Sequence, residues 1–452
     1  MPKNKSHALL NHNQQVPRYT SYPTANHFTN EVGATEAGSW LAAIPDGQAL
    51  SLYFHIPFCK KICWYCGCHT KASLRYDPVA DFLEYLKKEI SLVAGKLGNK
   101  RPVAHIHFGG GSPSYMAADD FADLMEHVSF HFKLLSDAEI AVEIDPRELT
   151  ESKVAAYRKA GVNRVSLGVQ DFHTDVQQAI NRTQPLHMIY DAVHLLRDYG
   201  IDHINMDLLY GLPHQTTDSI TENVRIALGL NPSRISLFGY AHVPWMKKHM
   251  QQIDDTTLPG AEARLDQFDA AAEAMRKQGY VQIGLDHFVK LTDPMATALN
   301  AKTLTRNFQG YSTDSASTLI GFGTSAISDL PDGYLQNTLS NRDYYKALDA
   351  GILPTAKGIK VTEEDKVTRR LIAELMCYME LDLGTFAEKE GLNIEQFMPA
   401  LEKLRPLFAD ELITYSNNRV VVAPDAPQAV RLVCAAFDPY LSVSRKKHAQ
   451  VA

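Results

Sequence analysis

Short runs of apolar residues recur along the first two thirds of the chain, each followed by a polar turn and a longer stretch whose apolar positions fall every three or four residues. The runs Leu52–Ile56, Val103–Phe108, Ile140–Ile144, Arg164–Val169, His203–Tyr210 and Arg234–Tyr240 read as buried strands, with a seventh at Tyr280–Phe288. The stretches Val79–Ala94, Ala117–Phe132, Ser152–Ala160 and Met188–Tyr199 read as amphipathic helices between them. Strand then helix, repeated, predicts an α/β fold with a parallel sheet curved into a barrel, although fewer than eight units are visible. In such architectures ligands sit at the carboxyl ends of the strands, so residues just beyond each run are the first place to look for chemistry.

The pattern changes at both ends. Residues 1–45 carry Pro17, Pro23 and the run Tyr19-Thr-Ser-Tyr22, and read as an extended N-terminal arm. Residues 46–350 read as the barrel with an extension near its substrate. Residues 351–452 read as a mainly helical domain, with helices over Glu363–Met379 and Ile394–Leu407. A short hairpin follows, Leu412–Tyr415 with Val420–Val422 around Asn417-Asn418, and helices with a small hairpin resemble a winged helix. The neutral-to-acidic helices favour a lid or packing role for it over nucleic-acid binding.

Composition narrows the class without naming it. A chain of 452 residues that is 45% hydrophobic can bury a large core. A net charge of −7 leaves no extended basic stretch to track a phosphate backbone, so nucleic acid is not expected as a partner. The basic cluster Arg445-Lys-Lys-His448 reads as a solvated end. No run of about 18 apolar residues is present, so no membrane span is expected. Six cysteines, taken as reduced, and no apolar signal segment point to the cytoplasm.

Four of those cysteines lie within ten residues, directly after the first strand: Cys59-Lys-Lys-Ile-Cys63-Trp-Tyr65-Cys66-Gly-Cys68. Thiolates spaced C-x3-C-x2-C on one turn can ligate three irons of a cubic iron–sulfur cluster and leave the fourth iron open to a substrate or cofactor. A structural zinc is the competing reading, although tetrahedral sites usually draw close pairs from separate segments. A disulfide framework is disfavoured by the length of the chain and by the presence of only two other cysteines, Cys377 and Cys434.

The cysteine spacing, with Tyr65 before the last ligand, resembles the signature of the radical S-adenosylmethionine (SAM) superfamily. The resemblance spans nearly the whole chain. Arg18-Tyr-Thr-Ser-Tyr-Pro-Thr24, Tyr53-x-His55-Ile-Pro-Phe-Cys59, Gly109-Gly-Gly-Ser-Pro113, Glu143-Ile-Asp-Pro-Arg147, Gly168-Val-Gln-Asp171, Asn205-x-Asp207 with Tyr210-Gly-Leu-Pro213, and Asn307-Phe-Gln-Gly-Tyr311 occur in the order of the oxygen-independent coproporphyrinogen III dehydrogenases (oxidases). The resemblance implies a partial barrel of about six β-α units. It implies a [4Fe-4S] cluster on Cys59, Cys63 and Cys66, with SAM on the open iron and Cys68 outside the cluster. It further implies SAM contacts from Tyr53, Tyr65, Gly110, Gly111, Ser112 and Glu143. Members of the family are thought to hold two SAM molecules, between which Gln170, Arg182, Asp207, Ala241 and Ile327 would divide.

The substrate implied by the same resemblance is coproporphyrinogen III, whose A- and B-ring propionates would become vinyl groups in haem and porphyrin biosynthesis. A reduced carrier such as flavodoxin or ferredoxin would donate electrons to a monomeric enzyme. A site for a tetracarboxylate needs arginine or lysine, and Arg18 in the arm and Arg306 are the candidates. The haem-chaperone paralogue shares the cysteine loop but usually lacks the Tyr19-Thr-Ser-Tyr22-Pro arm, which favours the dehydrogenase here.

Overall fold

The computed structural model of the chain describes residues 5–12, 14–314 and 316–442. The Arg445–His448 cluster lies outside them. Six parallel strands occupy the centre: β1 (Leu50–Ile56), β2 (Pro102–Gly110), β3 (Lys133–Ile144), β4 (Arg164–Gln170), β5 (His203–Tyr210) and β6 (Arg234–Gly239), side by side in chain order. Helices α1 (Asp77–Leu97), α2 (Ala118–His131), α3 (Glu151–Lys159), α4 (Leu186–Asp198), α5 (Thr217–Gly229) and α6 (Ala261–Lys277) cover the outer face. This is the six-unit open barrel the sequence predicts. The strands are apolar runs because parallel strands are buried on both faces. Phe54 of β1, for example, stacks on Phe108 of β2 at 4.8 Å and on Phe322 at 5.0 Å.

Neither edge of the barrel is bare. Leu319–Phe322 pairs parallel to β1, and Ile327–Leu330, Gly333–Asn337 and Thr355–Lys360 continue from it antiparallel. At the other edge His287–Val289 and then Val281–Ile283 add antiparallel to β6, giving twelve strands in all. The single strand expected at Tyr280–Phe288 is therefore two strands. Gly284, with φ 57°, turns the chain between them. The sheet also runs through Lys360, ten residues past position 350, because Thr355–Lys360 pairs with Gly333–Asn337.

The C-terminal part holds the helix Glu363–Tyr378 and a three-stranded sheet of Glu380–Asp382, Arg419–Val422 and Ile413–Ser416. Asn417 and Asn418 turn its hairpin with φ of 50° and 63°, as a tight primed turn requires. The helix expected at Ile394–Leu407 is broken into Ile394–Phe397, Met398–Lys403 and Arg405–Ala409, with Pro399 and Pro406 at the starts of the later two. The arm is less extended than expected. Lys5–His12 forms a 3-10 helix and Ala34–Ala42 an α-helix. Leu9, Val16, Tyr19 and Tyr22 of the arm are buried in the core of the C-terminal part.

One polar side chain interrupts the buried face of α1. Glu89 accepts hydrogen bonds from Tyr344 Oη (2.6 Å), Asn337 Nδ2 (2.6 Å) and Gly323 N (2.7 Å). Burial raises its carboxyl to about 7, further than these donors lower it. A carboxyl raised in the folded state contributes its full stability below its unfolded value of 4.5 and loses that contribution as pH climbs through about 7. The loss is roughly 3 kcal/mol. Denaturant titrations from about pH 5 to about pH 9 should show wild type falling by that amount relative to Glu89→Gln. Parallel curves would mean that Glu89 does not titrate in this range.

Candidate active site

The cysteine loop leaves the carboxyl end of β1 and is held by backbone bonds on several sides. Phe58 and Cys59 pair with Lys71 and Ala72, closing its base. Gly111 N donates to Ile56 O and Ser112 N to Phe58 O, each at 2.8 Å, so the turn after β2 is bonded to the loop's first residues. Asn181 Nδ2 donates to Ile62 O at 2.9 Å. Lys247 Nζ donates to Cys68 O at 2.8 Å, and the His249 ring to Cys66 O at 2.7 Å. Cys59, Cys63, Cys66, Tyr65, Gly110, Gly111, Ser112, Glu143, Gln170, Arg182 and Asp207 all line one cavity of about 230 Å³ at this end of the sheet.

Charge in this cavity is arranged around Cys63. Arg182 Nη1 lies 3.4 Å and Arg147 Nη2 3.6 Å from its sulfur. Asp145 receives Arg147 Nη2 at 2.6 Å and Arg182 Nη1 at 3.2 Å. Burial raises the Asp145 carboxyl, but Arg182 and Arg147 outweigh it and bring it down to about 2. A hydrogen bond from Cys68 brings the Cys66 thiol down to about 6, whereas burial pushes Cys59 up to about 12 despite Thr70 Oγ1 at 3.2 Å. Arg182 Nε is buried with no protein partner. Three soft donors, two guanidinium groups beside one of them and an orphaned buried N–H suit an anionic sulfur-bound cluster and a carboxylate-bearing ligand.

Glu143 is the carboxylate facing the thiols. It accepts from His107 Nε2 at 3.1 Å and from Gly110 N at 3.3 Å, and these donors outweigh burial and keep its carboxyl below the usual range. Behind it, the Tyr53 ring stacks on His107 at 5.9 Å and its hydroxyl meets His55 Nδ1 at 3.1 Å. Tyr53 thus reaches the cavity through His107 and does not line it. Asp207 accepts from Ser166 Oγ and Asn205 Nδ2, each at 2.8 Å, and burial raises its carboxyl. Gln170 sits at a bulge that ends β4, with φ 69°. A non-glycine residue held in that left-handed region beside a cavity is strain of the kind functional sites carry.

A second cavity, in the barrel interior, shares Glu143, Ser166 and Asp207 with the first. It shares Phe238, His287, Gln309 and Tyr311 with a third, so the three are neighbours with common walls. The third cavity, also about 230 Å³, is lined by Arg18, Arg264, Arg306 and Arg431, with Gln428 among them. The two arginines singled out from sequence therefore meet, joined by two that were not. Arg306 bonds Tyr19 O and Arg431 Nη2 bonds Val16 O at 2.6 Å, which ties the arm to this wall. Arg264 Nε, Arg306 Nε and both side-chain polar atoms of Gln428 are buried without a protein hydrogen-bond partner.

Besides Tyr53, two further expected contacts are not brought to these walls. Ile327 starts a strand of the antiparallel extension beyond β1, and its side chain packs against the cluster of Phe28, Tyr334 and Val361. Ala241 lies two residues past the end of β6, on the rim, and lines none of the three cavities.

An open six-unit barrel with three thiols on the loop after β1, a glycine turn after β2 and a carboxylate at the end of β3 defines a radical SAM protein, and a profile of the Radical SAM superfamily matches residues 53–227. The chain is 47% identical over 437 residues to the oxygen-independent coproporphyrinogen III oxidase of Bradyrhizobium diazoefficiens, covering 97% of each. It is 39% identical over 426 residues to that of Paracoccus denitrificans, covering 94% of each. The solved coproporphyrinogen III oxidase of Escherichia coli superposes with a TM-score of 0.89 at 35% identity, over 94% of this chain and 100% of that one. The chain belongs to the oxygen-independent coproporphyrinogen III oxidase family. Its cofactors are accordingly a [4Fe-4S] cluster and SAM.

Proposed function

We propose that this protein converts the A- and B-ring propionates of coproporphyrinogen III to vinyl groups without oxygen, giving protoporphyrinogen IX. The observation that carries this reading is that the thiol cavity and a cavity walled by four arginines both adjoin the same cavity in the barrel interior. When bound, the cluster and SAM supply the 5′-deoxyadenosyl radical that removes a hydrogen atom from a propionate β-carbon, after which carbon dioxide and one electron leave and the alkene remains.

The chain's own residues hold and orient. Cys59, Cys63 and Cys66 are the cluster ligands, with Arg147 and Arg182 balancing charge at Cys63. Glu143, fixed by His107, receives the SAM amino group. Gly110, Gly111, Ser112 and Tyr65 shape the same wall. Gln170, Arg182 and Asp207 serve the SAM molecules, two in number, one for each propionate. Arg18, Arg264, Arg306 and Arg431 grip carboxylates, from the exposed Arg18 at the rim to the buried Arg431. The protein acts as a monomer in the cytoplasm, with a reduced flavodoxin- or ferredoxin-type carrier as electron donor.

Cluster-loaded protein should be incubated anaerobically with SAM, a reductant and coproporphyrinogen III. Successive loss of two carboxyl groups, with two 5′-deoxyadenosines per final product, is expected. Haem retention with the porphyrinogen untouched would point to the chaperone paralogue instead.

Arg18 is exposed, and among the described residues its side chain makes one long bond, to Gly239 O at 3.5 Å. Its charge is therefore available to a ligand. Arg18→Ala should raise the KM for coproporphyrinogen III by about 10- to 100-fold, the value of one or two charge-assisted bonds. SAM cleavage in the absence of porphyrinogen should be unchanged. An unaltered KM would remove Arg18 from the substrate site.

A further inference from the structure

Three surface segments surround the outside of the cysteine loop. The first is the loop itself with its return strand, residues 59–76. The second is 241–249, anchored by the Lys247 and His249 bonds to Cys68 O and Cys66 O. Underneath, Val243, Tyr240 and Met250 pack in one cluster with Trp64 and Tyr65. The third is 338–342, where Lys71 Nζ meets Asn341 Oδ1 at 3.2 Å.

These segments share an unusual composition. They contain Lys60, Lys61, Lys71, Arg75, Lys247, Lys248 and Arg342 and not one aspartate or glutamate, in a chain whose net charge is −7. Large apolar side chains stand exposed among them: Leu74 at 84%, Met246 at 70%, Trp245 at 64% and Leu339 at 50%. Held out on anchored segments, they form part of a built surface. Exposed apolar side chains bordered by an excess of cations, here with Asp77, Asp255 and Asp343 just beyond the segments, suit a transient protein interface, and electron-transfer encounters need less than about 1,200 Å² in total.

We infer that this face docks an acidic one-electron carrier protein, which reduces the cluster through the Cys66–Cys68 turn. The inference rests on the cluster assignment above and adds where the donor binds. Complementary charge selects the partner: a carrier with an acidic rim meets seven Lys and Arg side chains of which, among the described residues, Lys60 alone is in an ion pair, with Glu148 at 3.7 Å. Trp245 and Met246 supply the desolvated contact at the centre. In the step itself the carrier gives up one electron and the cluster gains it, with no atom transferred.

The test uses cluster-loaded protein and an acidic flavodoxin. Binding is followed by calorimetry, and cluster reduction by the reduced flavodoxin is followed by loss of cluster absorbance. Arg75→Glu combined with Lys248→Glu, and separately Trp245→Ser, should weaken flavodoxin binding by about tenfold or more and slow flavodoxin-driven reduction to match. Raising salt from about 50 to about 500 mM should weaken wild-type binding in the same direction. Reduction by dithionite, and dithionite-driven turnover, should be unchanged in every variant. Flavodoxin-driven reduction insensitive to these substitutions would overturn the inference. So would a raised KM for porphyrinogen with dithionite, which would assign the patch to the substrate. Equal dependence of anionic-vesicle binding on the same residues, without flavodoxin binding, would assign it to a membrane surface. If wild type binds and is reduced by flavodoxin yet leaves coproporphyrinogen III unchanged, the docking face stands and the substrate assignment falls.

Discussion

Cys63→Ala is expected to give protein that folds, loads little iron and sulfide on anaerobic reconstitution, and forms no measurable 5′-deoxyadenosine. The loss should be roughly three orders of magnitude or more, equivalent to about 4 kcal/mol of transition-state stabilisation. The side chain is small, so the packing cost is modest. Its chemical cost is large, because the sulfur is one of three soft donors on the loop and lies between Arg182 Nη1 at 3.4 Å and Arg147 Nη2 at 3.6 Å. Deleting it removes a ligand and leaves Asp145 as the acceptor that the two guanidinium groups still share. Cys68→Ala is the informative partner. Cys68 is exposed, and its hydrogen bond to Cys66 is replaced when Cys66 ligates iron, so iron and sulfide content should stay near the wild-type value. Equal loss in both variants would make Cys68 a ligand and exclude the open-iron arrangement.

Gly111→Ala is the second large effect, and it comes from sterics alone. A Cβ at this position would lie 2.5 Å from Thr70 Oγ1, 2.7 Å from Phe58 O and 2.8 Å from Ile56 O. Thr70 can rotate away, but the two carbonyls are backbone and accept hydrogen bonds from Ser112 and from Gly111 itself. Relieving the clash therefore moves the root of the cysteine loop. Overpacking of this kind costs about 1–3 kcal/mol in stability. Displacing a ligand-bearing segment should also cost about 10- to 100-fold in cluster loading, read as iron per chain. An unchanged iron content with full stability would show that the loop root yields without consequence.

What could be read from the sequence divides along physical lines. The six central strands were legible because burial on both faces makes each a continuous apolar run. The cysteine loop was legible because its donors are close in sequence. The edge strands were not, since Leu319–Phe322 and its antiparallel followers are four to six residues long and take their meaning from distant partners. The arginine cavity was half legible. Arg18 and Arg306 lie in recognisable motifs, whereas Arg264 sits on α6 among ordinary polar helix positions. Arg431 did carry a signal that went unread. It stands alone in the apolar run Val430-Arg-Leu-Val-Cys-Ala-Ala436, and an arginine buried in such a run needs acceptors, found here at Pro17 O and Val16 O. His107 also had a signal, since it alternates with His105 on a strand and so shares its inward face. Ala241 and Ile327 show the limit of transfer by motif, because their side chains offer no chemistry by which the fold could check the assignment.

The arm's attachments have a consequence for biosynthesis. Arg18 and Tyr19 emerge from the ribosome early, yet their partners lie 221 residues onward at Gly239 and 419 onward at Asp438, and the carbonyls to which Arg431 donates precede it by 414 and 415 residues. Closing loops of that length is entropically costly and contributes nothing until the far partner exists. The cysteine-bearing turn itself, residues 59–68, has its hydrogen-bond partners no later than His249 among the described residues, although its return strand reaches on to Asn341 through Lys71. The turn's own bonds can form when little more than half the chain has been made. A nascent or truncated polypeptide therefore has its metal ligands in place while the anion-binding wall is still missing, and acquires the means to admit a carboxylate substrate only when translation is nearly finished.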